Sequence, residues 1–445
     1  MNIELPKQFK ARLKEMLDSE YDEFLKAFLE NEHIGIRINT LKGGSLSAIK
    51  SVLGDLEPVL WCKNGYYADK TLLSGKHPYH IAGLFYFQEP SAMSVVEALD
   101  IKKGDFVLDL CAAPGGKATQ AAEKLSGSGL LVANEIIEKR CKVLAENIAR
   151  LGIKNAVITN ESPSKLAQKY ENFFDKIIVD APCSGEGMFR KDEKALSEWS
   201  EEHTKSCAIR QKKILSDAIK MLKCEGKLIY STCTFAPCEN EGVADWILSS
   251  YPDMKLEKIA LSGLSDADGK WVSSSFDLSG AKRIFPHTAK GEGHFLALFT
   301  KTGGDIADKQ ETPSCKEENL YREFERENLE IRLDGIVISF GERLFLLPYG
   351  INIDKIKTES AGLFLGIAKK ERFVPSHALC MALKKEDFKR TLDISDSDCE
   401  KFFHGETLDA DTDGWTAVTY NGFPVGWGKG TGGVLKNHFP KNLRF

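Results

Sequence analysis

"DFVLDLCAAPGGKATQ" (105–120) opens as a short apolar run, breaks at a pair of glycines and resumes as a helix-forming stretch. An apolar run of that length, bounded by turn residues, reads as a buried strand. The same grammar then repeats. "GLLVANE" (129–135) precedes a helical stretch at 137–151, and "NAVITN" (155–160) and "FDKIIVDAP" (174–182) follow. A long helical stretch at 204–223 leads into "GKLIYST" (226–232). Another at 239–250 leads on to "AKRIFPH" (281–287) and "HFLALFT" (294–300). Strands alternating with helices predict an α/β fold, a mostly parallel sheet covered on both faces.

A chain of 445 residues is too long for one core, so two to four domains are expected. Residues 1–30 read as one or two amphipathic helices, and "GIRINTLKG" (35–43) opens a mixed region to about 80. The stretch 303–318, with Gly303, Gly304 and Pro313, reads as a linker. Shorter runs follow, and the end, "GWTAVTYNGFPVGWGKG" (414–430), is Gly-rich and β-like. The apolar and charged fractions, 42% and 28%, are those of an ordinary soluble protein. No run reaches the ~18 apolar residues of a membrane span, and the charged N-terminus lacks the apolar core of a secretory leader. Cytoplasmic placement without a membrane partner is expected. Eleven scattered cysteines fit a reducing compartment better than a disulfide framework. None stands in C-x-x-C spacing, so no metal site is expected. Net charge is −5, yet residues 415–445 carry Lys429, Lys436, Lys441 and Arg444 with no acid. Such a tail either grips a phosphate backbone or is a solvated surface.

In a sheet of this kind, ligands bind at the carboxyl ends of the strands. The loop after the first strand spans Cys111, Ala112, Ala113, Pro114, Gly115, Gly116 and Lys117. Its glycines let the backbone pass close to a ligand, and the helix that follows offers free N–H groups to an anion. The loop has neither the G-x-G-x-x-G nor the G-x-x-x-x-G-K-[ST] pattern. The second strand ends on Glu135, placed to accept ribose hydroxyls. A nucleoside with a carboxylate rather than a pyrophosphate fits this set, hence S-adenosylmethionine. The alternative is a tight turn and a surface Glu.

Two further strands end at cysteines: Cys183 after "VDAP" and Cys233 after "LIYST". Strand ends on one sheet edge converge, so Asp180, Cys183 and Cys233 should border one pocket with the loop. Each cysteine by itself reads as a small core residue. Together with a methyl donor they admit a chemistry. Carbon 5 of a pyrimidine becomes nucleophilic once a thiolate has added to carbon 6. A carboxyl group can stabilise the adduct at nitrogen 3, and a second group must remove the carbon 5 proton. The base must also be unstacked, which favours single-stranded or opened RNA.

The motifs "RINTLK" (37–42), "QEPSAM" (88–93), "DLCAAPGGK" (109–117), "DAPCSGEGMFR" (180–190), "STCTFAPCENE" (231–241) and "RIFPHTAKGEGHFLALF" (283–299) resemble the Nol1/Nop2/Sun family of RNA 5-methylcytosine methyltransferases. Beyond 310, "GLFLGIAKKERFVPSHALCMAL" (362–383) and "PVGWGKGTGGVLKNHFPKNLR" (424–444) resemble its bacterial ribosomal members. The resemblance implies a Rossmann-like class I methyltransferase domain at 81–302. It implies a small N-terminal RNA-recognition domain at 1–80, an intermediate RNA-binding domain at 319–372 and a PUA-like RNA-binding domain at 373–445. It also implies methylation of a cytosine in 16S ribosomal RNA, naked or within the small subunit, by a monomer.

In the roles so implied, Cys233 attacks, Cys183 assists release, and Asp180 holds the base and lies against the cofactor. Lys117 lies near the reacting centre, Glu135 holds the ribose, and Arg140 sits close by. Arg37 contacts RNA. Near the adenine, where the family often has an Asp, this chain reads "TNESPSK" (159–165), and Glu161 or Ser162 stands in. DNA cytosine methyltransferases offer the opposite template, with Cys183 attacking. A catalytically silent RNA-binding assembly factor is the alternative function, and an exocyclic adenine methyltransferase would need an Asn/Asp-Pro-Pro motif that "DAPCSG" is not. His287 and His294 read as substrate contacts or as turn and core residues. The helix at 210–223 reads as a solvated basic face. Trp415 and Trp427 read as packing rather than base stacking, and Cys238 as packing. A separable extension predicts that deleting 310–445 weakens RNA binding much more than cofactor binding.

Overall fold

Five parallel strands form the centre of the computed structural model, which describes residues 4–30, 33–69, 74–305, 307, 315, 318–370 and 372–445. They are β1 (Phe106–Asp109), β2 (Leu130–Asn134), β3 (Ala156–Thr159), β4 (Phe174–Asp180) and β5 (Leu222–Thr232). Their order is β3-β2-β1-β4-β5. Beyond β5 come β7 (His294–Lys301), antiparallel to it, and β6 (Lys282–Ile284). Helix α1 (Gly116–Leu125) follows β1, α2 (Glu138–Arg150) follows β2, and α3 (Glu201–Met221) precedes β5. Alternate residues feed opposite cores. Val107, Leu131, Ile158, Ile178 and Ile229 enter one cluster, and Leu108, Val132, Val157, Ile177 and Leu228 the other. Burial on both faces is why these strands read as unbroken apolar runs. Strand order reverses between β2 and β4 on either side of β1, and that switch point opens a crevice at the carboxyl ends.

The N-terminal unit opens on the helices Lys7–Leu17 and Tyr21–Leu29, and has a sheet ordered Gly65–Tyr67, Gly35–Ile38, Phe85–Phe87 with the helices Ser45–Leu53 and Pro78–Ile81 in its connections. The boundary expected at 80 falls short, because Phe85–Phe87 pairs with Gly35–Ile38. Of the linker expected at 303–318, residues 306, 308–314, 316 and 317 lie outside the described residues. The C-terminal extension holds a four-stranded antiparallel sheet and then a five-stranded one. The boundary expected at 372/373 cuts a strand, since Arg372–Pro375 pairs with Leu363–Lys369. A hairpin across that point leaves no compositional break to mark it.

The extension is also sewn into the centre: β8 (Thr358–Ala361) lies antiparallel along β3 and lengthens the main sheet. The last unit packs on the first through a shared core, with the Asn421 side-chain amide donating to the Tyr79 hydroxyl at 3.0 Å. Trp427 is buried in the extension and donates its indole N–H to the Ser376 carbonyl, with Trp415 edge-on to it. Both therefore pack. Among the described residues, no helix is long and apolar enough to cross a membrane.

Candidate active site

The loop between β1 and α1 runs beneath the sheet's carboxyl edge. Gly115 has φ +121°, a region that side chains rarely adopt, and a Cβ there would press on Leu144 at 3.2 Å. Its freedom lets α1 start in direct contact with the loop. Lys117, in the first turn of α1, reaches Asp180 at the end of β4 (Nζ–Oδ2 2.8 Å). The other Asp180 oxygen accepts from the Ser231 hydroxyl at 2.8 Å, and His294 Nε2 lies 3.6 Å away. Burial would raise the Asp180 carboxyl, but the Lys117 charge and His294 prevail and hold it well below the usual carboxylate range. Lys117 is held up in turn, Asp180 outweighing burial, so the pair stays ionised.

Asp109, the last residue of β1, is fully buried, and neither oxygen has a formed hydrogen-bond partner, the Cys111 N–H making only a loose approach. Burial, and then the Asp180 charge, push it up to about 7. An orphaned buried carboxylate near Lys117 and Asp180 is chemically suited to a cation or a donor. Sequence reasoning passed over it, although an acid ending a strand just before the loop was the available signal.

At the end of β2, Glu135 accepts from the Ile137 N–H (2.9 Å) and pairs with Arg140 (3.0 Å). Arg140 also donates to the Ala113 carbonyl at 2.7 Å, tying the acid to the loop. Glu161 is occupied otherwise, by Lys165 at 2.5 Å and by the Lys357 N–H at 2.8 Å. The Ser162 hydroxyl caps the next helix by accepting from the Lys165 N–H at 3.4 Å. Beside them, the Asn160 side-chain amide donates to the carbonyls of Glu135 and Ile136.

Cys183 and Cys233, fifty positions apart, are free thiols in direct contact, Sγ to Sγ 3.3 Å. The Cys183 thiol is pushed well up, first by its hydrogen bond to Cys233 and then by burial. The Gly187 N–H donates to the Cys233 carbonyl at 2.8 Å, and a Cβ at Gly187 would lie 2.7 Å from that oxygen. Only glycine permits this approach.

Arg37 does not face RNA. It is 1% exposed and donates to Glu123, Gln88, the Gly116 carbonyl and Thr119. With every donor direction spent inside, it fastens the N-terminal sheet to α1. His287 pairs with Glu20 at 2.9 Å, while His294 borders Asp180. On α3, Arg210, Lys213 and Lys220 are exposed, a solvated face. Cys238 packs against Thr204.

This geometry can be set beside known proteins. Four family models cover nearly the whole chain. They are the N-terminal domain of 16S rRNA methyltransferase RsmF (residues 5–90), 16S rRNA methyltransferase RsmB/F (96–300), the RsmF rRNA methyltransferase first C-terminal domain (323–383) and the methyltransferase RsmF PUA domain (389–445). The chain is 31% identical over 470 residues to ribosomal RNA small subunit methyltransferase F of Escherichia coli O157:H7, across 99% of this chain and 97% of that one. The chain belongs to the ribosomal RNA small subunit methyltransferase F family. A second relative of that name, from Vibrio vulnificus, is 32% identical over 468 residues, covering 99% and 98%. NSun6 from Pyrococcus horikoshii, solved with SFG, shares the fold at TM-score 0.59 and 24% identity, over 67% of this chain and 99% of that one. The Rossmann-like methyltransferase unit, the N-terminal domain and the terminal PUA domain are those of the family.

Proposed function

We propose that this protein methylates carbon 5 of a cytosine in 16S ribosomal RNA, using S-adenosylmethionine and a covalent adduct with Cys233. The observation that carries the proposal is the contact of two thiols beside the Lys117–Asp180 pair. A single addition to a base needs one thiol; addition followed by elimination needs two groups.

The residues present fit the cofactor. Asp109 offers an unpaired carboxylate to the ammonium of its methionine part, and the amides at the start of α1 suit its carboxylate. Glu135 suits the ribose. The likeness to NSun6 solved with SFG, an S-adenosylmethionine analogue, supports the same choice. When bound, S-adenosylmethionine supplies an electrophilic methyl group on a sulfonium.

Asp180, held as an anion, accepts from the exocyclic amine of the cytosine and so orients the base. The Cys233 thiolate adds to carbon 6, forming a C–S bond and pushing electron density to carbon 5, which takes the methyl group. Removal of the carbon 5 proton then returns the C–S electron pair to Cys233. Cys183 is suited to take that proton only at this stage. Its largest restraint in the free protein is the bond to Cys233, and that restraint disappears once the Cys233 sulfur is alkylated. Cys183 then loses its own proton to solvent and becomes the base. The bond to Cys233 and burial both push the Cys183 thiol up, which counts against the DNA-type order in which Cys183 attacks. We place the reaction in the cytoplasm, by a single chain.

The test is to mix Cys183→Ala with 16S rRNA and S-adenosylmethionine and look for a protein–RNA adduct that survives denaturing electrophoresis. We expect adduct in Cys183→Ala, and neither adduct nor methylation in Cys233→Ala. Adduct in Cys233→Ala alone would reverse the roles. Bisulfite sequencing of the product would locate the cytosine.

A further inference from the structure

Two consecutive residues beyond the second cysteine, Glu239 and Asn240, are both wholly buried. Asn240 brackets Cys233. It accepts from the Thr232 hydroxyl on one side (2.6 Å) and donates to the Thr234 carbonyl on the other (2.8 Å). Glu239 reaches across to the other loop. Its carboxylate accepts from the Ser184 N–H (3.0 Å) and from the Ser184 hydroxyl. Gln211 of α3 completes that bracket, donating to Glu239 at 2.8 Å and to the Pro182 carbonyl at 3.1 Å. The residues on either side of Cys183 are thus held as well. A bond between the hydroxyls of Ser184 and Thr234, 2.8 Å, closes the two brackets into one.

We propose that Glu239 and Asn240 are paired positioning residues, Glu239 for the thiol that releases the product and Asn240 for the thiol that attacks. The proposal rests on the reaction given above and goes beyond it by assigning separate steps to two neighbouring side chains. A carboxylate suits position 239 because three donors converge on it: the Ser184 N–H, the Ser184 hydroxyl and the Gln211 amide. An amide suits position 240 because one bond is accepted and one is donated. Burial pushes Glu239 up to about 7, against the pull of the Ser184 bonds. That cost is tolerated in a place where an apolar residue would leave the Ser184 N–H without an acceptor.

The two brackets predict opposite defects. In Glu239→Ala, Cys183 loses its alignment while Cys233 keeps its own. Adduct should still form, but its breakdown should slow on the order of tenfold or more, since an ångström of misplacement costs up to ~100-fold. Adduct should therefore accumulate on rRNA, as in Cys183→Ala. Glu239→Gln keeps two of the three contacts and should recover most of the breakdown rate. In Asn240→Ala, adduct formation in a single turnover should slow by a similar factor, with no accumulation. Melting temperature and S-adenosylmethionine affinity, measured on the same full-length variants, report any general loss of fold. The inference is overturned if the two alanine variants lose formation and breakdown alike, or if Glu239→Gln behaves as Glu239→Ala. If Cys183→Ala itself gives no adduct, the underlying reaction has failed instead, so the two failures are distinguishable.

Discussion

At Asp109, proposed above to meet the cofactor's ammonium, stability and binding oppose each other. Its buried, unpartnered carboxylate is costly to ionise, and burial with the Asp180 charge pushes it up to about 7 from 3.8. The sign of the linkage follows. Between those two values the folded protein binds more protons than the unfolded chain, so stability falls as pH rises through that window and then levels off. Asp109→Asn removes the penalty. The variant should melt higher than the parent at pH 8, by at most about 4 kcal/mol of stability. The advantage should shrink towards zero as pH is lowered to about 4. Affinity for S-adenosylmethionine should fall, by roughly the 1.5–3 kcal/mol of a charge-assisted bond. Calorimetric melting across pH, with cofactor titration at pH 8, checks both halves. A variant no more stable at pH 8 than the parent would mean that the carboxylate is already satisfied.

Elements are held in register by buried charge as well as by apolar contact. Strand Gly35–Ile38 is fixed to α1 by Arg37, which pairs with Glu123 at 3.0 Å with both side chains enclosed. Removing one partner of such a pair strands the other. Arg37→Ala should cost about 3–5 kcal/mol in urea unfolding, and adding Glu123→Ala should restore part of it. The alternation of strands and helices and the loop at 111–117 were legible because apolar runs and glycines announce themselves locally. The convergence of Cys183 and Cys233 was legible for a related reason, since strand ends on one edge must meet. Arg37 was not. Its partners lie 51 to 86 residues away, and nothing within "RINT" distinguishes a buried arginine from an exposed one. The bracket at Glu239 and Asn240 was hidden in the same way, and β8 more so. Its sequence, Thr-Glu-Ser-Ala, has no apolar alternation, and only the open edge of β3 gives it a place.

At the scale of the whole molecule, β8 decides how the extension can be removed. A separable tail would leave the cofactor site intact when cut away. Here the chain that carries β8 also contacts residues next to Glu135, which is proposed to hold the ribose. The Asn160 N–H donates to the Lys357 carbonyl at 2.8 Å, the Lys357 N–H donates to Glu161 at 2.8 Å, and the Asn160 side chain holds the Glu135 carbonyl at 2.7 Å. Deleting 310–445 exposes the edge of β3 and removes the Lys357 contacts of Asn160 and Glu161, leaving those to Glu135, Ile136 and Lys165. A chain ending at 388 loses the five-stranded sheet but keeps β8 and the four-stranded sheet. Both truncations should weaken rRNA binding. Only the longer deletion should also weaken S-adenosylmethionine binding, by roughly tenfold, or about 1.4 kcal/mol. Equilibrium dialysis of the cofactor and filter binding of 16S rRNA, on both chains and the full-length protein, separate the cases. Equal cofactor affinity in all three would show that β8 lies on the sheet without supporting the site. Equal cofactor losses in both truncations would instead point to the shared core of the first and last units, around Tyr79, Tyr420 and Phe423, as the support.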